Sequence, residues 1–74
     1  MSVQIVLDHA GDTRHEFDAS DIAAVALAEE RFQKLTRKGF RAVALGKEGE
    51  RGDLMRTFDP TIERTLFIPQ LQGG

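Results

Sequence analysis

The sequence predicts an α+β fold in which a mixed sheet of four to five strands packs on one helix, and three observations carry that prediction. Apolar residues alternate with polar ones near the start, at Val3, Ile5 and Leu7, and a short apolar run, Thr65-Leu-Phe-Ile68, reads as a strand near the end. Between them, a stretch free of glycine and proline from about residue 20 to 38 repeats its apolar positions at helical spacing. A short apolar segment, Phe40–Leu45, follows at once, bounded by Gly39 and Gly46. Period two suits a strand with one covered face and period 3.6 an amphipathic helix, so the chain changes element type twice.

Taken in order, Val3, Ile5 and Leu7 are expected to face the core from a first strand, with Val6 breaking the polar side. Asp8-His9-Ala10-Gly11-Asp12 concentrates turn formers, and Gly11 is free to take positive φ. Thr13, His15 and Phe17 then alternate with charged residues, which predicts a hairpin. Asp18, Ser20 and Asp21 offer oxygen caps to the free N–H groups of a helix start. Val25, Ala28, Phe32 and Leu35 form the stripe expected to face the sheet, and Glu30 and Lys34 stand four apart as an ion pair should. Arg37 and Lys38 complement the negative helix end before Gly39, a suitable left-handed stop.

Phe40–Leu45 reads as a buried strand, and Lys47 to Asp53 as a polar loop that includes Arg51-Gly-Asp53. Leu54 to Phe58 reads as a short strand, ended by the turn that Asp59-Pro60 favours. The last strand spans Thr65-Leu-Phe-Ile68, with pairing expected to fade at Pro69, which has no N–H to donate. Either alternate pair there can face the core; the reading adopted buries Leu66 and Ile68 and turns Phe67 outward. The expected organisation is one domain over residues 1–69 and a flexible tail over 70–74.

Composition narrows the function. With 74 residues the chain holds one modest core, and the surface rather than a deep cleft is expected to do the work. It contains no cysteine, which excludes a thiolate nucleophile, disulfides and the common thiolate zinc sites. Ten Lys and Arg against 12 Asp and Glu leave a net charge of −2, arguing against a nucleic-acid binder. No apolar run reaches the roughly 20 residues of a membrane span, and nothing at the N-terminus directs export, so a cytoplasmic protein is expected. His9 and His15 read as solvated surface residues rather than metal ligands. Gly46-Lys47 lacks the glycine and hydroxyl residue of a phosphate loop, with Arg41 and Glu48 in their places. Ser20 has no evident general base and reads as part of the cap, so no hydrolase constellation remains and no enzyme is expected.

A hairpin, one helix, a third strand, a short fourth and a last strand running into Gly73-Gly74 resemble the ubiquitin-like β-grasp proteins, over nearly the whole chain. Arg41-Ala-Val-Ala-Leu-Gly-Lys47 looks like the third strand and following turn of that family. Gly52 precedes an apolar segment, and Thr65-Leu-Phe-Ile68 precedes the glycine pair. The tail lacks the arginines of the ubiquitin ending, Pro69 has no counterpart there and the helix is longer, so a bacterial relative with its own partners is expected.

The resemblance implies a protein modifier whose reactive group is the carboxylate of Gly74, with Gly73 beside it and Leu71 and Gln72 for tail recognition. ATP would be used by an adenylating partner, this chain holding no cofactor or metal; a conjugating enzyme and target proteins would follow. It also implies an apolar partner-binding surface, which carries over to Val43 and Phe67 with Lys47 and His9 nearby, on a monomer that binds neither nucleic acid nor membrane. Lys34, Lys38 and Lys47 could accept a second copy. Two alternatives stay open: a sulfur carrier that forms a thiocarboxylate on the same glycine, and a noncovalent interaction module in which the glycines are incidental.

Overall fold

The computed structural model describes residues 1–46 and 51–70, and of Arg51 the backbone alone. Five strands and one helix follow each other as β1 (Ser2–Asp8), β2 (Gly11–Phe17), α1 (Ile22–Arg37), β3 (Phe40–Leu45), β4 (Arg51–Met55) and β5 (Arg64–Pro69). They form a single mixed sheet in the order β2-β1-β5-β3-β4, with β1 and β5 parallel at its centre and every other pairing antiparallel. One helix lies on one face, a β-grasp-like α+β arrangement of the kind the sequence predicts.

Local chemistry accounts for the joints. The Asp8 carboxylate accepts the Ala10 N–H at 2.8 Å, and Gly11 takes φ +124°, so two residues suffice to turn β1 into β2. Asp18 accepts the Ser20 N–H and hydroxyl at 2.9 and 2.7 Å. Asp21 then caps α1 by accepting the N–H groups of Ala23 and Ala24. The helix is therefore Ile22–Arg37, slightly inside the expected 20–38. At its other end Gly39 takes φ +99° and donates its N–H to Thr36. The Gly39 carbonyl in turn accepts the Gln70 N–H at 3.2 Å, pinning the end of β5 beside the start of β3.

The expected helix stripe is the one that packs: Ala28 and Phe32 are buried, Val25 and Leu35 half-buried. Phe32 meets the ring of Phe67 edge-on at 5.8 Å and that of Phe58 at the same separation, and Phe58 also reaches Phe17. Glu30 and Lys34 do not pair. The ion pair among the described residues is Arg14 with Asp12 at 3.4 Å, both exposed, where such a contact contributes little.

Three expectations are corrected. In β1 the residues facing the helix are Ser2, Gln4 and Val6, while Val3, Ile5 and Leu7 lie on the opposite face. In β5 the buried residues are Thr65 and Phe67, and Leu66 and Ile68 lie outward. The two corrections are one, because the parallel register sets Val6 beside Phe67 and Ile5 beside Leu66. Phe67 wins the inner position because its row runs Val6, Phe67, Ala42, Met55, and a single aromatic beside the small Ala42 fills the space under Phe32.

The third concerns β4, which starts at Arg51 and stops at Met55, so Gly52 and Asp53 are strand rather than loop. The β3–β4 register shifts between Val43 and Leu45, and there the Ala44 carbonyl comes so close to Gly52 that any Cβ would collide with it.

Gln4, 1% exposed, is the other feature of the inner face. Its Nε2 donates to the Ala28 carbonyl and its Oε1 accepts from Arg31 Nη1, each at 2.9 Å, so the buried amide is satisfied. Among the described residues no helix is long and apolar enough to cross a membrane.

Candidate functional site

The helix covers one face of the sheet, and among the described residues no element covers the other. Pleating puts alternate residues of every strand there, and the register lines them up across the sheet. Arg14, Ile5, Leu66, Val43 and Leu54 form one row through all five strands. Glu16, Val3, Arg64 and Leu45 form the row beside it. On the other side, Leu7 pairs with Asp12 and Ile68 with Arg41. The centre of this outer face is thus aliphatic and its borders are charged. A shallow groove lined by Arg41, Val43, Gly52, Leu54, Ile68 and Pro69 ends at Gln70, where β5 leaves the sheet.

Of the expected surface residues, Val43 lies on this face but is only 9% exposed, because Leu66 and Leu54 flank it. Phe67 does not: it is fully buried against the helix, for the packing reason given above, and cannot touch a partner. His9 is exposed in the β1–β2 turn, and β5 stands between those strands and β3. Lys47, Leu71, Gln72, Gly73 and Gly74 lie outside the described residues.

Residues that the sequence reading missed do most to shape the face: Leu66 and Ile68 in place of Phe67, with Val3, Ile5 and Leu54 around them. Their signal was present in the sequence as the more aliphatic alternation of β1 and β5, which on pattern alone reads as the core face. Leu54, 50% exposed, is among the most open large aliphatics of the molecule.

Electrostatics are mild. Burial, and secondarily the Arg31 guanidinium, push the His15 pKa below the ordinary histidine value. Asp18 and Asp59 are held below the usual carboxylate range by the hydroxyl and N–H of Ser20 and of Thr61. Among the described residues no three His, Asp or Glu side chains stand close enough together to hold a metal ion. Chemically, the outer face offers aliphatic contact ringed by guanidinium and carboxylate groups, the anatomy of a protein-binding surface. No protein-family model, curated protein or solved structure matches this chain, so the functional reading rests on the fold and on this face.

Proposed function

We propose that the chain is a ubiquitin-like protein modifier, activated at the Gly74 carboxylate and joined to target proteins. The observation that carries the reading is the position of β5. It is held between β1 and β3, tied by Gln70 to Gly39, and followed in sequence by Leu71-Gln-Gly-Gly74, beside an open aliphatic face. An activating enzyme can grip that face, through Val43, Leu66 and Ile68, while the two glycines enter its nucleotide site, since neither has a Cβ to obstruct a narrow channel. There the carboxylate attacks the α-phosphorus of ATP, pyrophosphate leaves, and the resulting acyl adenylate loses AMP to an enzyme thiolate. A target lysine amine then displaces the thiolate and forms the isopeptide bond.

The test is mass spectrometry of tagged protein recovered from its native cells, comparing the wild-type chain with one lacking Gly73 and Gly74. Isopeptide-linked ladders that vanish with the glycines are the expected result. Replacement of one terminal oxygen by sulfur would instead identify a sulfur carrier. Unmodified protein alone, with the native enzymes expressed, would leave a noncovalent module. The intact mass also reads whether Gly74 bears the free carboxylate that the chemistry needs.

A further inference from the structure

The outer face is divided by charge. Its β2 border carries Asp12 and Glu16 with one counter-charge, Arg14, which is already tied to Asp12. Among the described residues, its β5 and β3 side carries Arg41 and Arg64 with one counter-charge, Glu63. Asp12, Glu16, Arg41 and Arg64 are all exposed, and the aliphatic rows lie between the two sides. A surface that is acidic on one flank, basic on the other and apolar in the middle complements itself under a two-fold rotation.

We propose that this face binds a second copy of the chain, sheet against sheet, about a two-fold axis running along the strands between β1 and β5. That axis lays β5 over β1 of the second copy and β3 over its β2. Leu66 then meets Ile5, Ile68 meets Leu7, Arg41 meets Asp12, and Arg64 reaches Glu16, each contact made twice. Aligned sheets pack at about 10 Å with their strands within about 30° of each other, which suits aliphatic rows of this depth.

Four overlapping strands and three rows give a footprint of about 400 Å² per copy from strand and residue spacings. The total, about 800 Å², falls below the roughly 1,200 Å² of a stable complex, so the dimer is weak, with a dissociation constant on the order of 0.1–1 mM. The resemblance implies a monomer; the charge division argues for reversible pairing at high local concentration. The proposal does not depend on Gly74, and the pairing covers the face that an activating enzyme would grip.

The experiment is sedimentation equilibrium of the full chain from about 20 µM to about 1 mM, a range over which mass action should shift the average mass. Amide chemical shifts are followed in parallel. The wild-type chain is expected to gain average mass with concentration and to shift at Ile5, Leu66 and Ile68, while the helix amides stay fixed. The double variants Asp12→Arg/Glu16→Arg and Arg41→Glu/Arg64→Glu, whose altered positions are all exposed, should each stay monomeric, and their equal mixture should associate again. A wild-type chain that remains monomeric at about 1 mM overturns the proposal and leaves the face to a partner of other chemistry. Variants that associate as well as wild type, or a mixture that does not recover, also overturn it.

Discussion

The two faces of the sheet invert the usual pattern along β1 and β5. Facing the helix, these strands present Ser2, Gln4, Val6, Thr65 and Phe67; facing away, they present Val3, Ile5, Leu7, Leu66 and Ile68. Counted by residue type, the open face is the more hydrophobic of the two. The covered face holds together because one large aromatic sits under Phe32 and because its polar groups find partners, Gln4 on the helix, Ser2 at the Pro60 carbonyl and Thr65 at Met55 Sδ. What decides burial here is volume matched to the helix stripe and satisfied hydrogen bonding, rather than the number of aliphatic side chains. The surplus of aliphatics is left on the face that the helix does not cover.

The sharpest way to break this comparison is to truncate neighbours in β5 that point opposite ways. Phe67→Ala removes the centre of the core and is expected to cost about 3–5 kcal/mol, a large share of the stability of a small domain. Leu66→Ala, on the open face, is expected to cost about 1 kcal/mol. Urea unfolding midpoints of the two variants decide the matter, and equal losses would mean that the outer face is covered in solution. Gln4→Ala tests the polar half of the inner face. It leaves a cavity, strips Arg31 Nη1 of its partner and should cost about 2 kcal/mol, read in the same denaturation series.

Against this background the legibility of the sequence divides cleanly. Elements defined by local chemistry could be read: the hairpin at Gly11, the cap region around Asp21, the stripe through Ala28 and Phe32, and the stop at Gly39. Strand phase could not, because in β5 both alternations carry large apolar residues and in β1 the more aliphatic alternation, Val3, Ile5 and Leu7, is the one that faces away from the helix; the volume left under the helix selects the inner set. Gln4 looked like an outward polar residue because its partners, Ala28 and Arg31, lie 24 and 27 positions away. Gly52 and Asp53 read as loop because the reason for a glycine there is the Ala44 carbonyl of another strand. For the site the outcome follows the same line. An outer face on β3 and β5 could be anticipated, Phe67 was placed on it by the wrong phase, and Leu66, Ile68 and Leu54 emerged only with the register.

Acid titration separates the inner face from the loops by a smaller effect. His15 pairs with Gln4 across the hairpin, and burial together with Arg31 lowers its folded-state pKa. As pH falls below about 6.5, the unfolded chain therefore takes up the proton first, so stability declines with falling pH until the folded pKa is passed and then levels off. Asp18 and Asp59 act lower on the scale. Their carboxylates are favoured in the folded state by Ser20 and Thr61, so their contribution is complete above about 3.9 and disappears as pH falls through the depressed folded values. Thermal midpoints measured against pH should thus fall in two steps. His15→Gln should remove the upper step alone, and Asp18→Asn with Asp59→Asn the lower. An upper step that survived His15→Gln would place the near-neutral titration elsewhere in the molecule and sever it from the Gln4–Arg31 pair.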